Sequence, residues 1–359
     1  PLPSRPSNAP PSLRAPAILL PTPACYTLWT IAAATTGGMR LPAAFWRYAP
    51  TRFPAARCVT ILGGVHGNEL VGIEVVKWLR EQLSAHPEWT TGMTGELIFG
   101  LGNPAAIEIG RRATSPDTDL NRCFQVHPDR NPSTVEAQRA EEIRPILERT
   151  DILIDIHATN KPSPPFIRVA GPAWTKQHRR IVDCFRHART LLRDKHFCLG
   201  LGTVCTTDEF VGQLDGGDGR IGICYETGHA DDMSVLPVVQ REIGQFLRTE
   251  LNIDFPVEDD TGVHPALTTY NMIEAIPLLS EHDFEWAPCN VSDAMHPFVG
   301  DANFQHVPAH SEIGYMTSRV DGLRKIVKAD YDSWVVFPKV LELMAPTKPV
   351  VWLTRREGE

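Results

Sequence analysis

The amino-acid sequence predicts an α/β fold with a mostly parallel sheet flanked by helices, followed by a smaller β-rich C-terminal domain. Three observations support this prediction. Short apolar runs bounded by turn residues alternate with segments of helical hydrophobic period from Cys58 to Leu251. Several of these runs end directly in polar residues suited to catalysis, as strands do at the carboxyl edge of a parallel sheet. Beyond about residue 262 the helical period fades and short strand-like runs remain.

The first predicted strand and helix flank a glycine-rich turn. Residues 58–62 form an apolar run typical of a buried strand, and the three glycines within residues 63–67 permit a sharp turn after it. Apolar residues then recur at helical spacing, which predicts a helix over 69–84. His66 and Glu69 are therefore expected between the end of the strand and the first turn of the helix.

The remaining elements continue this alternation. The sequence predicts, in order, a strand over 95–101, a helix over 134–149 with Ser133 as its cap and Glu136 at capping-box spacing, strands over 152–156 and 166–170, a largely helical segment over 174–192, a strand over 221–226, a helix over 236–251, and short strands over 326–329 and 334–337. Carboxyl ends of parallel strands share one edge of a sheet. Four residues at or after strand ends are thus expected near one another: His66, Asn103, His157 and Glu226.

Residues 1–38 differ from the rest of the chain. They are rich in Pro, Ser and Ala and contain no Asp or Glu. This composition predicts a disordered extension, with a targeting segment as the alternative, because residues 17–34 are moderately apolar. The expected organisation is this extension, a catalytic domain over 39–262 and the β-rich domain over 263–359.

Composition excludes several classes of protein. A net charge of −8 and a pI of about 5.9 argue against a nucleic-acid-binding surface. No uninterrupted apolar run reaches the length of a membrane span. The eight cysteines are scattered without zinc-knuckle or redox spacing, which favours a reducing compartment and predicts a cytoplasmic protein. The oligomeric state is left open, a homo-oligomer included.

His66 and Glu69 form the first half of a predicted metal site. An imidazole and a carboxylate three residues apart can face one ion, and His157, at the end of the strand over 152–156, is the best candidate for the third ligand. A catalytic zinc ion typically has three such ligands and one open position, where it acidifies water and polarises a carbonyl. Asp155 shares the strand face of His157 and is placed to orient its ring. The alternative is that His66 and Glu69 only form hydrogen bonds near a turn.

Other polar residues suggest the remaining parts of an active site. Glu226 ends a buried strand, where burial raises the pKa of a carboxylate and suits it to act as a general base. An ion pair with an arginine is the alternative. Asn121 and Arg122 lie in a long polar loop and are suited to binding a carboxylate. A solvated arginine, or one in an internal ion pair, is the alternative.

Four short motifs together resemble one family. They are Gly-Gly-Val-His-Gly-Asn-Glu at 63–69, Gly-Asn-Pro at 102–104 leading to Asp-Leu-Asn-Arg at 119–122, Asp-Ile-His at 155–157 and Tyr-Glu-Thr-Gly at 225–228. In this order the set is similar to the succinylglutamate desuccinylase/aspartoacylase family of zinc amidohydrolases, relatives of the zinc carboxypeptidases.

The resemblance implies a zinc-carboxypeptidase-like fold and one zinc ion per chain held by His66, Glu69 and His157. It also implies Glu226 as the catalytic carboxylate, and Asn121 with Arg122 as ligands of a substrate carboxylate. The implied reaction, in amino-acid metabolism, is hydrolysis of an N-acyl amino acid such as N-acetylaspartate or N-succinylglutamate.

Two departures from the family pattern keep alternatives open. The family places an arginine that polarises the scissile carbonyl seven residues before the motif asparagine, where this chain has Thr114. Either Arg112, two residues earlier, takes this role, or the donor differs. The family also places a substrate-binding arginine about ten residues before the catalytic glutamate, where this chain has Gly216 and the nearest arginine is Arg220. A metallocarboxypeptidase, or a catalytically weak metal-dependent binder of acidic metabolites, therefore remains an alternative.

Overall fold

In the described part of the chain, a mixed sheet of eleven strands carries nearly all the predicted functional residues at one edge. This computed structural model describes residues 40–50, 55–124, 133–199, 205–214, 219–256, 262, 264–289 and 295–358. The predicted extension over residues 1–38 and the position of Gly216 lie outside these residues. No helix within them is both long and apolar enough to cross a membrane.

The strands and helices alternate as predicted through the first two thirds of the chain. The strands are β1 Phe45–Tyr48, β2 Cys58–Gly63, β3 Glu96–Leu101, β4 Ile152–Thr159, β5 Phe166–Ala170, β6 Thr190–Asp194, β7 Ile221–His229, β8 Thr268–Pro277, β9 His282–Trp286, β10 Gln305–Val307, β11 Glu312–Ser318, β12 Arg324–Lys328, β13 Ser333–Val336 and β14 Pro349–Arg356. The helices are α1 Leu70–Ala85, α2 Pro104–Glu108, α3 Val135–Leu147, α4 Lys176–Val182, α5 Thr207–Gln213 and α6 Leu236–Leu251. The predicted α/β fold class is therefore confirmed.

Strand order places the carboxyl ends of β2 and β4 side by side. The large sheet has the order β1-β3-β2-β4-β7-β5-β6-β8-β14-β13-β10, and its centre, from β3 through β2 and β4 to β7, is parallel. The chain runs from β2 through α1 to β3 on one side, then returns to β4 on the other. Such a reversal opens a crevice beyond the carboxyl ends of the strands, where ligands bind in this type of sheet.

Buried apolar side chains and close backbone contacts hold β2 and α1 together. Val59, Ile61 and the inward face of α1 belong to the main core, and fully burying one such side chain contributes about 1.5–3 kcal/mol. A Cβ atom on Gly63 would lie 2.1 Å from the carbonyl oxygen of Gly72 in α1. Any larger residue at position 63 would thus push the helix from the sheet and displace the turn that follows.

The C-terminal region is β-rich, as predicted, but part of it extends the large sheet. β8 pairs in parallel with β6, and β14, β13 and β10 continue outward as antiparallel strands. β12, β11 and β9 form a separate small antiparallel sheet. Residues 41–359 cluster as one unit, and the domain boundary near residue 262 stays a prediction.

Two local predictions were wrong. The segment over 174–192 is not largely helical, because helix α4 ends at Val182 and the chain re-enters the sheet as β6. Leu191 and Leu192 are buried by pairing with β5, and this tertiary contact outweighs the helical pattern. The cap of α3 is Thr134, whose hydroxyl accepts the backbone N–H of Ala137, and Ser133 lies outside the helix.

Candidate metal and active site

A cavity opens at the carboxyl edge of β2, β4 and β7, and the predicted site residues line it together. His66 follows β2, His157 lies near the end of β4, and Glu226 lies on β7 directly opposite His157 in the strand register. The lining also includes the other predicted residues: Glu69, Arg112, Asn121 and Arg122. Asn103 lies at the same edge, just after β3, as expected, but it caps α2 there and is not among the lining residues: its side chain accepts the N–H of Ala106 and donates to Glu136.

His66, Glu69 and His157 converge in one buried cluster. Nδ1 of His66 lies 2.7 Å from Oε1 of Glu69, and Nδ1 of His157 lies 2.9 Å from Oε2. The two Nδ1 atoms are 3.2 Å apart. One ligand atom from each residue lies within 4.8 Å of the others, so the three side chains could hold a metal ion.

Two carboxylates outside the cluster orient the histidine rings toward it. Asp119 Oδ1 lies 3.1 Å from Nε2 of His66, and Asp155 Oδ2 lies 2.9 Å from Nε2 of His157. When each ring carries its proton on Nε2, where the carboxylate accepts it, each Nδ1 presents a lone pair to the centre of the cluster. The two Nδ1 atoms, 3.2 Å apart, can then both bind one cation. The donor set and its orientation therefore fit a divalent metal.

The charges of the cluster are strongly interdependent. Burial alone would raise the pKa of Glu69, but His66 and His157 hold it well below its ordinary range. Burial would likewise lower the pKa of His157, yet Asp155 and Glu69 raise it well above the ordinary value. The glutamate is thus ionised at neutral pH, and its Oε2 also accepts the backbone N–H of Ala158 at 3.1 Å.

Glu226 is a buried carboxylate whose negative charge has few partners nearby. Burial is the largest influence and, with the charge of Glu69, raises the pKa of Glu226 to about 7, although His157 acts in the opposite direction. The Cys224 thiol donates to its Oε1 at 3.6 Å, while Oε2 has no partner among the described residues. The predicted alternative, an ion pair with an arginine, is not seen for this residue in the described chain. Such a carboxylate can exchange a proton near neutral pH.

Arg112 lies in the site and Thr114 does not. The Arg112 guanidinium donates from Nη2 to Oδ2 of Asp119 at 2.9 Å, and its Nη1 lies 3.6 Å from Oε1 of Glu69. Thr114 instead donates its backbone N–H and its hydroxyl to Glu136, at 2.7 and 3.0 Å. This buried glutamate fixes the loop so that position 112, two residues earlier, faces the cavity.

Asn121 and Arg122 lie in a short 3-10 turn on the cavity wall. Asp119 caps this turn by accepting the backbone N–H of Asn121 at 2.9 Å. The Asn121 amide oxygen accepts the N–H of Thr207, and its Nδ2 lies 3.4 Å from Nε2 of His157. Arg122 donates to the carbonyl oxygen of Asn121 at 2.6 Å and forms no ion pair within the described chain.

Several residues around the cavity were missed by the reasoning from sequence. Asp119 binds both His66 and Arg112, and its place in the Asp-Leu-Asn-Arg motif was the available signal. Thr207 donates its hydroxyl to Asp155, from helix α5, and carried no signal. Lys339 also lines the cavity, from a C-terminal region in which no motif was found.

Comparisons with known proteins agree with this architecture. The family model described as the succinylglutamate desuccinylase/aspartoacylase catalytic domain matches residues 55–254. A probable aspartoacylase from Nostoc is 37% identical over 108 residues, which cover 28% of this chain and 35% of that protein. An N-acyl-aromatic-L-amino acid amidohydrolase of Danio rerio is 30% identical over 145 residues, covering 37% of this chain and 42% of that protein. The matched segments thus span less than half the length of these relatives.

Solved structures share the fold over most of the chain. A succinylglutamate desuccinylase from Vibrio parahaemolyticus superposes with a TM-score of 0.63 at 16% identity, covering 87% of this chain and 86% of that one. Murine aminoacylase 3 superposes with a TM-score of 0.55 at 16% identity, covering 85% and 97%. At this identity the two likenesses show that the fold is shared.

Proposed function

Because the chain belongs to the succinylglutamate desuccinylase/aspartoacylase family, we propose that it hydrolyses the amide bond of an N-acyl amino acid. One observation carries this proposal. Three residues suited to holding a metal ion and one uncompensated carboxylate share a single cavity at the carboxyl edge of the sheet. These are the parts that metal-assisted amide hydrolysis requires.

The metal in this proposal is one zinc ion per chain. His66, Glu69 and His157 would hold it, since two imidazoles and a carboxylate are a typical ligand set for catalytic zinc. A bound zinc ion supplies Lewis-acid polarisation of the amide carbonyl and lowers the pKa of water. Asp119 and Asp155 keep the two rings oriented and increase the basicity of Nδ1.

Glu226 acts as the general base and then as the general acid. With a pKa near 7, it can accept a proton from the attacking water and deliver that proton to the nitrogen of the leaving amine. Oε1 is held by the Cys224 thiol, which leaves Oε2 to take part in the proton transfer.

Two arginines interact with different parts of the substrate. Arg112, beside Glu69 and paired with Asp119, is placed to stabilise the developing negative charge on the carbonyl oxygen. Arg122 and the Asn121 amide bind the α-carboxylate of the amino acid, since Arg122 has a guanidinium without an ion-pair partner in the described chain.

The decisive experiment combines metal analysis with a substrate panel. Purified protein is expected to contain about one zinc per chain and to release free amine from at least one of N-acetylaspartate, N-succinylglutamate or N-acetylphenylalanine. Glu226→Gln is expected to retain zinc and lose roughly 10³-fold or more in kcat. The matched control is Glu81→Gln on the exposed face of α1, which should match wild type.

The same panel separates the alternatives. Release of C-terminal residues from peptides, without hydrolysis of acyl amino acids, would indicate a metallocarboxypeptidase. Stoichiometric zinc without turnover of any substrate, in wild type and Glu226→Gln alike, would indicate a binding protein. The position of Arg112 in the cavity favours an enzyme over such a binder. The family pattern has an arginine where this chain has Thr114, and Arg112 can take its place.

A further inference from the structure

Lys339 projects into the cavity from the C-terminal region of the fold. It lies in the loop between β13 and β14 and lines the same cavity as Arg122 and Glu226. Its ammonium nitrogen lies over the Trp352 ring, 5.9 Å from the ring centre. A lysine is thus directed into the region where the substrate must lie.

The loop that carries Lys339 is fixed at several points. Phe337 donates its backbone N–H to Oδ1 of Asn303 at 2.7 Å, and Lys339 donates its own backbone N–H to the carbonyl oxygen of Val350 at 2.9 Å. Asn303 is itself buried, and its backbone N–H donates to Pro162, in the loop that follows β4. The position of the lysine is therefore tied both to the sheet edge that carries His157 and to β14.

The cations that line the cavity differ in whether they pair with a carboxylate. Arg112 pairs with Asp119, and Arg168, deeper in the wall, contacts three carboxylates. Lys339 and Arg122 form no ion pair within the described ranges of the chain. Lys339 and Arg122 thus face one cavity without a carboxylate at ion-pair distance, and more distant carboxylates such as Asp119 offset the cost of their burial only in part. An anionic ligand would offset the remainder.

The pKa shifts of Lys339 and Arg122 agree with their lack of an ion-pair partner. Burial, with the charges of Arg112 and Arg122, lowers the pKa of Lys339 to about 7. Burial also lowers the pKa of Arg122. A ligand with two negative charges would relieve both costs at once, whereas a ligand with one would leave one cation uncompensated.

We propose that Lys339 binds a second carboxylate of the substrate, so that the chain selects N-acyl amino acids that carry two carboxylates. This inference rests on the proposed amide hydrolysis. Arg122 takes the α-carboxylate and Lys339 takes the other, which belongs either to the side chain of the amino acid or to the acyl group. An aromatic or uncharged substrate leaves Lys339 desolvated and unpaired, and the site rejects it for that reason.

The test compares substrates with and without the second carboxylate. N-acetylaspartate is paired with N-acetylasparagine, and N-succinylglutamine with N-butyrylglutamine, so that one pair varies the side chain and the other the acyl group. Wild type should prefer the charged member of one pair by roughly 30-fold or more in kcat/KM. Lys339→Met should reduce that preference at least tenfold, and Lys339→Arg should keep most of it. Lys348→Met, an exposed lysine near the start of β14, is the matched control and should keep all of it.

The outcomes separate the inference from the function on which it rests. A wild-type protein that hydrolyses no substrate overturns the proposed function. A protein that hydrolyses N-acyl amino acids without charge preference, or keeps its preference in Lys339→Met, overturns the role of Lys339 alone. The pair whose preference disappears identifies the position of the second carboxylate. If Lys339→Met is poorly folded by circular dichroism, Lys339→Gln replaces it under the same criteria.

Discussion

Arg168 and Lys339 line one cavity but have opposite electrostatic surroundings. Arg168 is fully buried on β5, and Asp194, Asp208 and Glu209 lie 2.6, 2.5 and 2.5 Å from its guanidinium nitrogens. Lys339 has no carboxylate within ion-pair distance in the described chain. A cation with an excess of internal partners is part of the scaffold, whereas a cation without one is available to a ligand.

The difference is visible in the pKa directions. The three carboxylates raise the pKa of Arg168 well above the ordinary value despite its burial. Burial and two neighbouring arginines lower the pKa of Lys339. The fold therefore stabilises the charge of the first group and opposes that of the second. Removing each charge should change stability in opposite directions, and the predictions below test this contrast.

The largest expected effect on stability is that of Arg168→Met. Without the guanidinium, three buried carboxylates face one another without a counter-charge, which should destabilise the fold by about 3–5 kcal/mol. Urea denaturation followed by far-UV circular dichroism measures the loss. Lys339→Met, which removes a cation from the same cavity, is the matched control and should not lower stability. An equal loss in both variants would remove the distinction between scaffold and ligand-binding cations.

Lys339→Met is expected to have a smaller effect on stability, and to increase it. The charges that face this lysine are Arg112 and Arg122, which lower its pKa, and Asp119 and Glu226, which raise it. Because its folded pKa is about 7 and its unfolded pKa about 10.5, the unfolded state binds more protons between these values. Wild-type stability should therefore rise with pH across this window.

Lys339→Met removes that dependence. Below pH 7 the variant should be more stable than wild type by about 2 kcal/mol, after allowance for partial exposure of the side chain, and the advantage should shrink toward pH 10. Metal-free protein is used, so that the state of the metal cluster does not contribute to the difference. Thermal unfolding at half-unit pH intervals supplies the measurement. A constant difference between variant and wild type would show that the lysine is solvated.

The parts of the site that could be predicted from sequence are those that local patterns position. His66, Glu69, His157 and Glu226 end strands or begin a helix that local patterns reveal, so their convergence follows from the rule for parallel sheets. Asp155 could be placed beside His157 because alternate residues of a strand share a face. Local pattern and tertiary geometry agree at these positions.

Residues supplied by distant segments gave no such signal. Lys339 reaches the cavity only because β8 and β14 extend the sheet and return the chain to its edge, which depends on strand pairings far apart in sequence. The helical pattern over 174–192 failed for a related reason, because β6 is formed by pairing with β5. Arg112 was one of two open alternatives until the contacts of Thr114 with Glu136 showed which residue faces the cavity.

The smallest and most specific effect is expected at Asn303, which lines the cavity and holds the loop that carries Lys339. Asn303→Ala removes the acceptor for the Phe337 N–H and should cost about 1 kcal/mol of stability. It should also reduce the charge preference in kcat/KM by roughly threefold to fivefold, because a looser loop holds the ammonium group less firmly.

Asn252→Ala, which loses a hydrogen bond to Gly92 in another part of the fold, is the control and should lower stability and leave the preference unchanged. If Asn303 acts only through Lys339, Asn303→Ala in the Lys339→Met background should not change the preference further. A threefold decrease that persists in the double variant would show that Asn303 shapes the cavity directly, and that the lysine is not the group it holds in place.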